Sequence, residues 1–260
     1  MPAGAIAKEP CYLRSERSPA FIRYCKRVYG AMLNQYGTAD IEQLNLMLDL
    51  LRLCPGSRSL DAGCGTGHTT RYLAVKSEAR FVGIDTAEPA ISRARQLEAA
   101  SVERLTFKIG TMDALDFSPS TFDAVIAIES LYFCKDLIST IAQFQKILCT
   151  GGQMALFYTH IADSTGDSLA AADTKLGAAL CANGIAFDAH DLSESDRRFW
   201  KLSKQVAEEL YAEFEVEGNA DLMHLSETDA LLDLIQKGRH ARYLYHARVQ
   251  RHPRRKLRCE

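Results

Sequence analysis

None of the eight cysteines at positions 11, 25, 54, 64, 134, 149, 181 and 259 forms a Cys-x-x-Cys pair, so neither a zinc ribbon nor a disulfide framework is expected. Reduced thiols in an intracellular protein are the simpler reading. No apolar run approaches the roughly 18–20 residues that a membrane-spanning helix needs. Met1 to Pro10 lacks the apolar core of a secretory signal, and a cytoplasmic location is expected. There is no excess of either charge: 31 Lys and Arg stand against 33 Asp and Glu, a formal net charge of −2. A chain built around nucleic acid usually carries a basic excess, so no nucleic-acid partner is expected. Internal repeats and low-complexity tracts are missing too. What is left is an ordinary globular balance, 47% hydrophobic and 25% charged over 260 residues, which suits one domain with room for an insertion.

The most informative stretch is Ser59-Leu60-Asp61-Ala62-Gly63-Cys64-Gly65-Thr66-Gly67-His68. It reads as a strand that breaks into a glycine turn and opens a helix. Three glycines at alternate positions let the backbone turn sharply and approach a ligand closely. The free N–H groups of the helix start then face the crevice. A dinucleotide fingerprint would need glycine at position 68, which is His68, and a P-loop would need a lysine there. Both are excluded, and Asp-x-Gly-x-Gly-x-Gly remains.

Around this turn the chain alternates strand and helix, the signature of a parallel sheet covered on both faces. Residues 1–18 are expected to be poorly ordered. Phe21 to Tyr36 is helix-compatible and carries Tyr24, Tyr29 and Tyr36. A second helix is expected from Ile41, with Asp40 as its N-cap and Gln43 three residues on. Strands are expected at Arg80–Asp85, Leu105–Ile109, Phe122–Glu129 and Gln153–Tyr158, and helices at Ala87–Ala100 and Leu137–Leu148. Beyond His160 the spacing predicts helices over Ser168–Asn183, Ser193–Phe214 and Leu225–Lys237, a short strand at Ile185–Ala189 and a last strand at Arg242–Val249. These boundaries divide the chain into N-terminal helices (19–57), a core (58–160), a helical cap insertion with the final strands (161–250) and a basic tail (251–260), read as a solvated end.

Asp61 to Gly67 resembles motif I of the class I S-adenosylmethionine-dependent methyltransferases, and the later motifs follow in that family's order over roughly residues 40–160. The resemblance implies an α/β fold: a Rossmann-like, mostly parallel seven-stranded sheet with helices on both faces, plus N-terminal helices and a helical cap insertion before the last strand. It implies S-adenosyl-L-methionine as cofactor and S-adenosyl-L-homocysteine as product. Asp61, Gly63, Gly65 and Gly67 would form the loop around the methionine and ribose. Asp85, 18 residues after Gly67, would accept the ribose hydroxyls, with Thr86 beside it. Asp113 would bond the adenine amino group while Met112 packs on the ring. Glu129 would stand near the sulfonium, and Leu148-Cys149-Thr150-Gly151-Gly152 would make the turn before strand five, with threonine in place of the family's usual proline.

Methyl transfer from a sulfonium asks mainly for positioning and exclusion of water. A base is needed only if the acceptor must lose a proton, and His160 is the histidine best placed for that, with Glu129 an alternative. A loop histidine satisfied by a backbone carbonyl is an equally good reading of His160. Tyr24, Tyr36, Tyr132, His160, Phe187 and Trp200 are candidates for an acceptor pocket, although an aromatic helix face is more often plain core. The expected partner is a small-molecule methyl acceptor. No metal is expected, and a homo-oligomer is allowed. Two other readings stay open: a methyltransferase of RNA or protein, and a non-catalytic cofactor-binding protein with the same fold. The acceptor and its attacking atom are not named by the sequence.

Overall fold

The computed structural model describes residues 11–35, 37–99 and 104–249. At its centre is a seven-stranded sheet of order β3-β2-β1-β4-β5-β7-β6. β1 (Arg58–Ala62), β2 (Arg80–Asp85), β3 (Leu105–Ile109), β4 (Phe122–Ile128) and β5 (Leu148–Ile161) run parallel, while β7 (His240–Arg248) is antiparallel to both β5 and β6 (Phe187–Asp191). The expected α/β architecture is thus present.

Strand periodicity of two divides the core between the faces. In β4, Ala124 and Ile126 point to one side and Val125 and Ala127 to the other, all fully buried. The first face is covered by α3 (Ile41–Leu51), α4 (His68–Ser77) and α5 (Glu88–Ala99), the second by α6 (Leu137–Ile147) and α7 (Lys175–Ala182). Further helices close over the first face: α1 (Cys11–Arg17) and α2 (Pro19–Val28) before the sheet, and α8 (Ser193–Glu209), α9 (Tyr211–Val216) and α10 (Leu225–Gln236) between β6 and β7. α2 packs on α8 and α9, so a helix before the sheet meets helices that lie between its last strands.

Several elements differ from the sequence expectation. The stretch expected to be loose over 1–18 contains α1, because Ser15 is buried with its Oγ 2.6 Å from Asn34 Oδ1 and Glu16 accepts from Arg93 Nε at 2.5 Å. Residues 1–10 and the basic tail lie outside the described residues. α2 ends at Val28 rather than near residue 36, since Gly30 turns the chain at φ +80°. Only Lys175–Ala182 of the 168–183 stretch is α-helix, capped by the Thr174 side chain. The helix expected over 193–214 breaks at Leu210 into α8 and α9. β5 is longer than read, because β7 pairs with it from Gln153 to Ile161.

The Asp40 cap of α3 is formed as expected, its side chain accepting from the Gln43 N–H at 2.9 Å. Asp40→Ala should therefore lower the unfolding free energy by about 1 kcal/mol. Urea denaturation of the two proteins measures it, and an unchanged midpoint would show the cap to be idle.

Candidate active site

The carboxyl ends of β1 to β4 open into one cavity of about 380 Å³. Its walls come from the segments at those ends: Gly63 to Thr66 after β1, Asp85 to Ala87 at β2, Gly110 to Met112 after β3, and Ile128 to Ser130 at β4. This is where ligands bind in open α/β sheets, because the strand order reverses between β1 and β4. Tyr12 of α1 together with Leu33, Asn34, Gln35 and Gly37 completes the walls.

The glycines do different things. Gly63 has φ +89°, and a Cβ there would collide with the Ser130 side chain, whose Oγ donates to the Ala62 carbonyl at 2.5 Å. Gly65 has φ +53° and open space where its Cβ would point, so it leaves room on the cavity side. Gly67 does not line the cavity: at φ +80° it caps α4, and a Cβ would lie 2.7 Å from the Phe107 ring. It serves helix-to-sheet packing.

The two carboxylates of the region also separate. Asp85 faces the cavity and holds the loop, Oδ2 accepting from the Gly65 N–H and Oδ1 from the Ala87 N–H, both at 2.9 Å. Each oxygen keeps a further lone pair for a ligand hydroxyl. Asp61 is 3% exposed, outside the cavity lining, and accepts from Thr70 Oγ1 at 2.6 Å. Burial pushes its carboxyl up to about 6, against the smaller effect of that hydrogen bond. It fastens β1 to α4 rather than touching a ligand.

Thr86, Met112 and Glu129 line the cavity as the sequence suggested, and Asp113 does not. The Asp113 carboxylate is turned to the next loop, where it accepts from the Lys135 N–H at 2.8 Å. Glu129 sits at the end of β4 at φ +51°, a strained conformation for a residue with a Cβ. Its Oε1 accepts from Arg242 Nε at 2.7 Å and its Oε2 from Tyr132 Oη at 2.5 Å. Arg242 and Tyr132 thus orient the carboxylate.

Arg242 is fully buried, and the sequence reading did not single it out. A lone arginine inside the apolar strand His-Ala-Arg-Tyr-Leu-Tyr was the available signal. Its guanidinium also donates to Gln43 Oε1, lies 3.6 Å from Asp196 Oδ1 and sits 5.2 Å from the centre of the Phe157 ring. Asp196 in turn accepts from Thr38 Oγ1 at 2.7 Å and Trp200 Nε1 at 3.0 Å, and lies 2.9 Å from His240 Nε2. Burial pushes Asp196 up, yet His240, Arg242 and Thr38 outweigh it and hold the carboxyl below its ordinary range.

A second cavity of about 120 Å³ adjoins the first, and Tyr12, Asn34, Gln35 and Gly37 line both. Tyr24 and Trp200 belong to this second cavity. Tyr132, His160 and Phe187 line neither. Tyr132 stacks on Tyr158 and accepts from the Thr159 N–H, and His160 sits on β5 opposite Ala241. Phe187 lies on the edge strand β6, where it pairs with Ala247 and packs on Tyr245, several strands away from the strand ends that form the larger cavity. Tyr36 lies outside the described residues. Tyr12 on α1 and the loop residues Asn34, Gln35 and Gly37 escaped the sequence reading, because residues outside a motif carry no local signal.

The buried charges give two measurable consequences. The folded-state value of Asp61 lies above its unfolded value of 3.8, so its protonated form favours folding at low pH and that contribution is lost as pH rises from about 4 to 6. Asp61→Asn should remove a pH dependence of about 3 kcal/mol across that window. Denaturant melts at pH 4 and pH 7 test it, and equal pH slopes in parent and variant would refute it. Arg242→Met leaves Glu129 and Asp196 without their cation and should cost about 3–5 kcal/mol in stability. A loss under about 1 kcal/mol would show that the guanidinium is dispensable.

Known proteins share this arrangement of strands and loops. A methyltransferase domain family matches residues 54–227. Among curated proteins, the 27-O-demethylrifamycin SV methyltransferase of Amycolatopsis mediterranei is 33% identical over 109 residues, 41% of this chain and 40% of that protein. The chain spans less than half the length of the first curated relatives it matches. Among solved structures, the cyclopropane synthase MmaA2 from Mycobacterium tuberculosis superimposes with a TM-score of 0.73 over 92% of this chain and 98% of that one, at 15% identity. The geranyl diphosphate C-methyltransferase from Streptomyces coelicolor A3(2), solved with Mg2+, geranyl diphosphate and S-adenosyl-L-homocysteine, does so at 0.65 over 80% and 77%, at 16% identity. At these identities the likeness is one of fold. Together with the family match over two thirds of its length, it places the chain in the methyltransferase domain family, whose cofactor is S-adenosylmethionine.

Proposed function

We propose that the chain methylates a small organic molecule in the cytoplasm, with S-adenosylmethionine bound in the larger cavity and S-adenosylhomocysteine as product. The observation that carries this reading is the cradle itself: Gly65 leaves open space where a ligand must approach the backbone, and the Asp85 carboxylate faces the same space. Asp85 would take the ribose hydroxyls, Gly63 and Gly65 would let the ligand lie against the loop, and Thr86 and Met112 would flank the base. Glu129 would stand at the far end, its carboxylate aimed by Arg242 and Tyr132. Asp61 and Gly67 would support the loop from behind, and Asp113 the loop that carries Met112.

When bound, the cofactor supplies a methyl group on a sulfonium, an electrophile that needs no further activation. The chain's part is then to bind, orient and keep water out. Tyr12, Leu33, Asn34, Gln35 and Gly37 wall the cavity on the side away from the sheet, and Asn34 ties that wall to the glycine turn through Thr66 Oγ1 at 3.3 Å. α1 is held down on both sides, by Glu16 to Arg93 and by Arg14 to Asp221 at 3.1 Å. Among the described residues no helix is long and apolar enough to cross a membrane, and no His, Cys, Asp and Glu group could hold a metal.

Asp85→Ala should weaken S-adenosylmethionine binding by about 1.5–3 kcal/mol, the scale of charge-assisted hydrogen bonds. Gly65→Val should abolish it, by filling the open space and by forcing a branched side chain to φ +53°. Isothermal calorimetry measures both, and either variant binding as tightly as the parent would overturn the assignment.

A further inference from the structure

The larger cavity opens where β1 to β4 end, and the opposite end of the sheet, where those strands begin, carries a row of cations. Arg58 opens β1 and Arg80 opens β2, in register with one another. Arg104 lies beside them, its carbonyl accepting from the Phe81 N–H at 2.8 Å. Lys146 stands just before β5, its carbonyl accepting from the Ser120 N–H at 3.2 Å, and Arg248 ends β7 opposite Gln153. Arg52 closes α3, next to the Leu51 carbonyl that accepts from Gln153 Nε2 at 2.9 Å. The row crosses six adjacent strands, β3 to β7 in sheet order, which is about 24 Å at the usual strand spacing.

These cations are not matched by acids. Among the described residues none of the six side chains makes an ion pair or a hydrogen bond, and Arg58 lies over the Phe122 ring at 5.2 Å from its centre. Arg104 Nε is buried without a partner. The helical surface shows the alternative, for there Arg14, Arg23, Arg27 and Arg93 each pair with an acid. Asp123 stands at the same end as the row but gives Oδ2 to the Arg58 N–H at 2.8 Å, and Glu78 and Asp49 form no ion pair with a described residue. Like charges side by side on neighbouring strands repel, so Arg58 and Arg80 favour an anion between or above them. The charge grows further along the sequence. Val249 joins this end through its N–H to the Gly152 carbonyl at 2.8 Å, and residues 251–258 then carry five more lysines and arginines. A chain of net charge −2 thus gathers unmatched positive charge at the end away from its larger cavity.

The form of the row selects the anion. A small anion needs cations that converge, and these are spread along a line. A nucleic acid is read by a helix or ribbon in a groove, or held by aromatic faces under its bases. Here the row is built from the starts of strands, and the Phe122 ring beneath Arg58 is fully buried. A broad anionic surface meets a line of separate charges best. Val75, in the last turn of α4 at the same end, is 54% exposed, and an apolar side chain beside cations fits a layer of lipid headgroups.

We propose that this end of the sheet, with the basic stretch that follows β7, binds the anionic headgroups of a phospholipid surface. Each cation adds a small, salt-screened increment, so the attachment is collective and reversible. It needs no membrane-spanning segment, and it leaves the mouth of the larger cavity facing away from the lipid.

Cosedimentation of the full chain with vesicles tests this, using phosphatidylcholine alone and phosphatidylcholine mixed with phosphatidylserine. The mixed vesicles should bind at least tenfold more tightly at about 0.1 M salt, and the difference should vanish near about 1 M. Arg80→Gln, Lys146→Gln and Arg248→Gln combined, with residues 251–258 intact, should weaken that binding at least tenfold. The three side chains are exposed and touch no partner, so the fold should be kept, which circular dichroism checks. Arg80→Lys with Arg248→Lys, which keeps the charge, should bind as the parent does. Equal binding to the two kinds of vesicle, a glutamine variant that binds like the parent, or loss of binding in the lysine variant would each overturn the proposal. Tighter binding to a single-stranded RNA than to the mixed vesicles at the same salt would overturn it in favour of nucleic acid.

Discussion

The buried guanidinium of Arg242 is the constraint on which the site depends. A charge removed from water is tolerated only when its surroundings return what hydration supplied. Arg242 recovers it from four parts of the chain at once: Glu129 at the end of β4, Asp196 on α8, Gln43 on α3 and the Phe157 face on β5. Through Asp196 the network reaches Thr38, in the loop that separates the two cavities. The helices before the sheet, the sheet itself and the helices between its last strands are therefore fastened beside the two cavities. The strained backbone of Glu129 is held by the same contacts, as a residue in a sparsely populated conformation must be.

The larger cavity shows how similar residues divide one task. Asp61 and Asp85 lie on adjacent strands, yet one is sealed under Thr70 and the other faces open space. Burial decides between them. The deeper carboxylate ties helix to strand, and the shallower one keeps lone pairs for a ligand. The glycines divide likewise, with Gly67 yielding space to the Phe107 ring, Gly63 to Ser130, and Gly65 to the cavity.

The aromatic residues of the N-terminal and late helices are at once core and wall. Phe21, Tyr24, Tyr29 and Phe199 are buried in the cluster that covers one face of the sheet, and the same rings border the smaller cavity. Burial pushes the Tyr24 hydroxyl up to about 12 and raises Tyr29 well above its ordinary value, so both stay neutral hydrogen-bonding groups. An amphipathic helix must bury its apolar stripe somewhere, and here it does so beside the strand ends.

The sequence by itself determined the sheet and the glycine cradle, because both are written in local patterns. Short apolar runs set the strands, spacing separated the Asp61–Gly67 turn from nucleotide loops, and Asp85 stood at a strand end wherever that strand was placed. Side-chain partnerships were decided only by tertiary structure. Nothing near Arg242 in the chain announces Glu129, Asp196 or Gln43, which lie 113, 46 and 199 positions away. Phe187 and Trp200 look alike as aromatic candidates, yet β6 carries one to the edge of the sheet while α8 carries the other to a cavity wall. Asp113 and Met112 are neighbours, and the turn after β3 aims only one of them at the cavity. Periodicity specifies which residues must be buried, whereas the direction a loop residue faces is set by contacts with segments far away in sequence.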